Sequence, residues 1–216
     1  ESAGISHINR AATRRAGTVG QPAAGVECRI AADGEILVRS PMVFRGYLNN
    51  PEATREVLDE DGWLHTGDIG EVDADGFLRI TDRKKNLIIT AGGKNVAPAP
   101  IELLLQREPI IAQSVIIGDK RPYLVALIAL NREAVEEEGL DSSGVEERVA
   151  SAVAGANAQL ARFEQIKRFR ILPGEFTVAE GELTPTMKVK RGAVVQRHQA
   201  LIDAMYEEQD REMAAE

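Results

Sequence analysis

The sequence predicts an α+β fold in two parts, and three observations carry that prediction. Residues 1–82 hold short apolar runs separated by Gly, Pro, Asn and Asp, the pattern of a β-rich segment. After residue 85 the signals run strand, helix, strand, strand, helix, strand, which is enough for one compact α+β unit. Between them stands "DRKKN" at 82–86, a charged run flanked by strands and the natural seam. The expected parts are therefore 1–82 and 83–216. The 216 residues in all are enough for one large domain or two small ones, each with a core.

The elements follow in order. "VECRI" (26–30) and "EILVRS" (35–40) read as strands joined by the turn "ADG" at 32–34. "NPEATREVL" (50–58) reads as a helix, with Asn50 as N-cap, Pro51 in the first turn and acids early. "GEVDADGFLRI" (70–80) is a hairpin that turns on Asp residues and Gly76. "NLIIT" (86–90) is a strand, the Gly-rich "AGGKN" follows, and "APAPIELLLQRE" (97–108) opens a helix on prolines. Strands at 113–118 and 123–130 lead to a short helix at 131–139 and a longer one at 143–161. "IKRFRIL" (166–172) alternates like a half-exposed strand, and 190–208 places Val194, Val195, Leu201, Ile202 and Met205 on one helical side. The β-rich part cannot complete a fold alone. It is expected to expose Ile36, Val38, Val43 and Phe44 and to self-associate.

Composition excludes several functions. A net charge of −8 disfavours nucleic-acid binding. The acid is concentrated early, with 14 acidic and 8 basic residues in 1–82 against 20 and 18 in 83–216. The later part carries the basic stretches "RFEQIKRFR" (162–170) and "KVKR" (188–191). Cys28 is the single cysteine, so neither an internal disulfide nor a thiolate metal cluster can form, and a reducing, cytoplasmic setting is expected. No apolar run has the length of a membrane span, and "ESAGISHINR" does not read as a signal peptide. Since the first residue is Glu rather than Met, the expectation is a chain that begins inside a longer protein.

The stretch "GWLHTGD" (62–68) sets Trp63 and His65 before what reads as a Gly67-Asp68 turn. Alone, Asp68 would be a turn-closing residue. Read on through "IGEVDADGFLRITDRKKNLIITAGGKNVAP", with "RGYLNNPEAT" (45–54) and "LTPTMKVKR" (183–191), the chain resembles the adenylate-forming enzymes, and among them the long-chain fatty-acyl-CoA synthetases. The resemblance runs from residue 1 to about residue 200. It implies the adenylate-forming fold: the end of a large AMP-binding domain (1–82), then a small mobile C-terminal domain (83–216).

The resemblance also assigns roles. Asp68 would accept hydrogen bonds from both ribose hydroxyls of ATP, which an ionised carboxylate can do at once. Arg83 would contact the same ribose, its simpler alternative being a surface salt bridge to Asp82. Trp63 and His65 would be packing. Lys85, by itself a solvated lysine, would be the hinge about which the small domain rotates. Ala91, Gly92, Gly93 and Lys94 would form the loop lining the CoA tunnel, where a bare Gly-Gly otherwise marks a turn. Lys188 would be the catalytic lysine, meeting charge that develops on the α-phosphate. Glu1 would help hold Mg²⁺, although as a chain terminus it is expected to fray.

The family's Gly/Ser/Thr-rich phosphate loop has no counterpart in this sequence. The implied function is the C-terminal part of an ATP- and Mg²⁺-dependent fatty-acid–CoA ligase. It would be inactive by itself and would need the missing N-terminal domain. A fatty acyl-AMP ligase, or an aryl or amino-acid activating enzyme, stays open as an alternative. So does a non-catalytic module whose basic stretches meet acidic partners or a membrane surface.

Overall fold

A computed structural model describes the backbone of residues 1–215 and the side chains of residues 1–207. The chain divides into two compact units, Glu1–Leu87 and Ile88–Glu216.

In the first unit, β1 (His7–Ile8) pairs with β2 (Gln21–Pro22), and β3 (Glu27–Ile30), β4 (Glu35–Arg39), β5 (Leu64–Val72) and β6 (Leu78–Arg83) form an antiparallel meander in that order. Gly34 closes the β3–β4 turn at φ +87°, a value only glycine adopts without strain. Helix α1 (Pro51–Val57) crosses between β4 and β5. The Asn50 side chain caps it by accepting from the Ala53 N–H at 3.1 Å.

The expected exposure of strand faces is corrected here. Ile36 and Val38 are each 3% exposed and pack with Val26 and Leu78. The reason is local. The segment 19–26 folds back over this face, held by Val19 N–H to Leu78 O (2.8 Å) and Leu78 N–H to Gly20 O (2.9 Å). Val43 and Phe44 lie beyond the end of β4 and are half-buried, with the Phe44 ring edge-on to Tyr47.

In the second unit, β7 (Ile88–Ile89) and β8 (Asn95–Val96) make a small hairpin. Helix α2 (Pro98–Leu105) leads to β9 (Ile111–Ile117) and β10 (Leu124–Leu130). Helices α3 (Arg132–Glu137) and α4 (Ser142–Asn157) then return the chain to β11 (Ile166–Ile171). The sheet order is β11-β10-β9. β10 is antiparallel to β9 and parallel to β11, so the last connection needs a crossover, which α3 and α4 supply.

"LVALIA" is apolar throughout because both faces of β10 are covered. Leu124, Ala126 and Ile128 pack with Ile101 and Leu105 of α2 and with Val145, Val149 and Val153 of α4. Val125, Leu127 and Ala129 pack with Leu172, Phe176 and Leu183 and with α5 (Arg191–Arg197) and α6 (Gln199–Ala215). The tail expected as one helical stretch is thus two helices that break at His198, with Val194, Ile202 and Met205 buried. α4 ends four residues short of its expected limit, where Ala158 caps it and a 3-10 turn at Arg162–Glu164 follows. Among the described residues, no helix is long and apolar enough to cross a membrane.

Candidate functional site

The stretch around Asp68 departs from its sequence reading. Gly67 and Asp68 form no turn between elements; they lie inside β5. Glu35 faces Ile69 and Leu37 faces His65, so one strand advances four residues while the other advances two. The surplus forms a bulge, and Gly67 accommodates it at φ +69°. Three hydrogen bonds fix its shape: Thr66 Oγ1 to Ile36 O (2.7 Å), Gly67 N–H to Glu35 Oε1 (3.0 Å) and Asp68 N–H to Thr66 Oγ1 (3.1 Å).

Across the ladder Asp68 stands opposite Arg83 of β6. Their side chains pair at 2.8 Å, Arg83 Nε to Asp68 Oδ1. Sequence reasoning offered Asp82 as the salt-bridge partner, but alternation along β6 turns Asp82 to the opposite side. There its Oδ1 accepts from the Arg83 N–H and from Asn86. Asp68 Oδ2 accepts no hydrogen bond from the described side chains. Trp63 is 7% exposed and packs beneath the guanidinium groups of Arg29 and Arg39, as packing rather than chemistry.

Asp68, Arg83, Thr66, Glu35 and Lys84 line one cavity of about 550 Å³ within the first unit, and Glu1 lines it too. Glu1 does not fray. Its carbonyl accepts from the Phe44 N–H at 2.9 Å, and its carboxylate accepts from the Tyr47 hydroxyl. That hydroxyl holds the Glu1 carboxyl below its ordinary range. Among the described residues, no group of three or more His, Cys, Asp or Glu forms a metal cage. One hard carboxylate at the edge of this pocket is still an oxygen donor that suits Mg²⁺, which takes most of its ligands from phosphate and water.

Lys84, which sequence reasoning passed over, holds more than Lys85. Its ammonium bonds Asp33 at 2.8 Å and Glu35 at 2.9 Å, contacts that raise its own pKa. Lys85 is exposed and makes no hydrogen bond or ion pair among the described residues. Both lie in the 3-10 turn Lys84–Asn86, in the last residues of the first unit.

In the second unit, Ala91, Gly92, Gly93 and Lys94 form the tip of the β7–β8 hairpin, a strand-to-strand turn. Gly93 N–H donates to Thr90 O (2.8 Å) and Lys94 N–H to Thr90 Oγ1 (3.1 Å). Gly93 sits at φ +71°, so the turn itself requires that glycine. Lys94 reaches over the Phe163 ring.

Lys188 also lies in this unit, on a tight hairpin. Thr184 N–H donates to Lys188 O (2.8 Å), Lys188 N–H to Thr184 Oγ1 (3.0 Å), and Leu183 bridges Val189. Met187 takes φ +61° at the tip, a conformation uncommon for a residue with a side chain. Leu183 is 1% exposed and anchors the base, while the Lys188 side chain is exposed. Buried Glu182 bonds His198 Nε2 at 3.0 Å and accepts from the Thr177 N–H, so the hairpin base is tied to the end of α5. Sequence reasoning found neither Glu182 nor Glu35, since nothing in a sequence says that an isolated acid points inward.

The first unit thus pairs a carboxylate and a guanidinium at the rim of a pocket, and the second presents an exposed lysine on a hairpin. The chain belongs to the AMP-binding enzyme C-terminal domain family, whose sequence pattern matches residues 85–210. It is 45% identical over 220 residues to the long-chain-fatty-acid–CoA ligase FadD15 of Mycobacterium bovis, covering 95% of this chain and 36% of that protein. To FadD15 of Mycobacterium tuberculosis it is 47% identical over 204 residues, covering 88% of this chain and 34% of that protein. The chain therefore spans about a third of the length of these relatives. The A-PCP didomain of carboxylic acid reductase from Segniliparus rugosus, solved in complex with AMP, matches its fold with TM-score 0.73 at 26% identity. That match covers 92% of this chain and 30% of the didomain.

Proposed function

We propose that this chain is the C-terminal part of an ATP-dependent long-chain fatty-acid–CoA ligase. The observation that carries the reading is the Asp68–Arg83 pair at the rim of a pocket, joined in one chain to a hairpin that presents Lys188.

In this reading ATP binds with its ribose at Asp68. The oxygen Oδ2 and the outer lone pairs of Oδ1 accept from the vicinal hydroxyls, while Arg83 keeps the carboxylate oriented. Mg²⁺ would be held in part by the Glu1 carboxylate and would offset phosphate charge. Lys188 would place one ammonium against the charge that grows on the α-phosphate as the fatty-acid carboxylate attacks and pyrophosphate leaves. The product is an acyl-adenylate, a far better electrophile than a carboxylate. Attack by the CoA thiol then gives the thioester and releases AMP. Rotation about Lys85 would withdraw Lys188 between the two steps and bring the tip at 91–94 to the CoA path. The tie of Lys84 to Asp33 and Glu35, beside an uncommitted Lys85, supports a hinge that begins at Lys85.

The test is fatty-acid-dependent exchange of pyrophosphate into ATP. The intact protein carrying this sequence is expected to catalyse it, and the 216-residue chain alone is expected to show only background. Exchange by the chain alone, or none by the intact protein, would overturn the proposal.

A further inference from the structure

Glu35 is the one buried carboxylate beside the Asp68 pocket, with its side chain 4% exposed. A charge so placed persists only when it is well paired. Its three donors are His65 Nδ1 at 2.9 Å, the Gly67 N–H at 3.0 Å and Lys84 Nζ at 2.9 Å. Burial pushes its carboxyl up, but the bonds from Lys84, His65 and Gly67 together outweigh that and hold it below the ordinary range.

The positions of those donors are what matter. His65 and Gly67 are the bulge residues just before Asp68. Lys84 is the residue just after Arg83. Asp68 and Arg83 face each other across the β5–β6 ladder. One carboxylate on β4 therefore grips the chain on both sides of the ion pair: Oε1 holds the bulge amide, and Oε2 holds both the bulge imidazole and Lys84, the first residue past β6. Without it, Gly67, free of side-chain restraint, could let the bulge relax toward regular pairing. A shift of one residue would turn Asp68 to the other face.

We infer that Glu35 is the positioning residue of the ribose site. By clamping the β5 bulge and Lys84, it sets the Asp68–Arg83 pair in the geometry that reads vicinal hydroxyls. This rests on the proposed role of Asp68, and the test separates the two. In the intact protein, Glu35→Gln keeps the shape and one acceptor but cannot satisfy all three donors. Asp68→Ala serves as the reference. Each is assayed by pyrophosphate exchange with ATP and with 2′-deoxy-ATP.

Glu35→Gln is expected to raise KM for ATP about tenfold with little change in kcat, as for a lost binding contact. KM for the fatty acid should stay unchanged. The preference for ATP over 2′-deoxy-ATP should collapse as it does in Asp68→Ala. If Asp68→Ala loses that preference while Glu35→Gln keeps it, Glu35 is only structural and the inference fails. If Asp68→Ala itself keeps the preference, the ribose assignment fails first and the inference with it. Should Glu35→Gln not fold, Lys84→Met alters an exposed member of the same clamp. It is expected to lose part of the preference, and a full preference there also overturns the inference.

Discussion

Asp68 in the first unit and Lys188 in the second are the two charges on which the proposed chemistry depends, and their surroundings differ in kind. Asp68 is fixed through side chains: an ion pair to Arg83, a bulge pinned by Thr66, and the Glu35 clamp behind it. Lys188 is fixed through its own backbone, not through its side chain. The hairpin is closed by main-chain and Thr184 hydrogen bonds and rooted in Leu183, while the lysine side chain makes no hydrogen bond or ion pair among the described residues. The first arrangement suits a group that must hold one geometry throughout. The second suits a group that must arrive, act and leave, because no partner has to be broken when it moves.

The largest effect that could break this comparison is at Lys188. In the intact protein, Lys188→Ala is expected to lower pyrophosphate exchange by about 10²–10³-fold, the usual result of removing one charge-stabilising donor. Thermal stability should shift by no more than about 0.5 kcal/mol, since the side chain is exposed. A large loss of stability would mean that the lysine holds the hairpin.

The converse holds at Leu183, which is 1% exposed. Leu183→Ala should cost about 2–5 kcal/mol in urea denaturation of this chain, because a buried leucine leaves a cavity. A cost near zero would show that the hairpin is not rooted in the core.

A smaller effect sharpens the picture of the first unit. Glu35 has its carboxyl held down in the folded state by Lys84, His65 and Gly67 against burial. A depressed carboxyl stabilises the fold above its unfolded value, near pH 4.3, and that contribution is lost as pH falls through the folded value. Melting temperature followed from pH 7 to pH 3 should therefore drop more steeply in the native chain than in Glu35→Gln. Parallel curves would contradict the clamp.

Much of the fold was legible in the sequence. β10 could be read from an unbroken apolar run, α1 from Asn50-Pro51, and the 70–80 hairpin from its Asp-rich turn, because each depends on neighbours in sequence. What could not be read depends on residues far apart. The bulge at Gly67 exists only in register against β4, so Gly-Asp looked like an ordinary turn. The partner of Arg83 is set by strand alternation, which favours Asp68 over the adjacent Asp82. Glu35 and Glu182 are buried by tertiary packing, and a lone acid in an apolar strand or before a hairpin carries no mark of that. The segment 19–26 covers Ile36 and Val38 for the same reason: a stretch with only a two-residue strand that folds back leaves no periodic signature.

The most direct test of the difference between the two sites supplies the intermediate itself. Lys188→Ala in the intact protein is given preformed fatty acyl-adenylate and CoA, and thioester formation is timed against the unaltered protein. If Lys188 acts only while the adenylate forms, the variant makes thioester at close to the unaltered rate even though its pyrophosphate exchange is lost. If thioester formation falls as far as exchange does, Lys188 serves both steps, and the account of a charge that arrives and leaves is wrong.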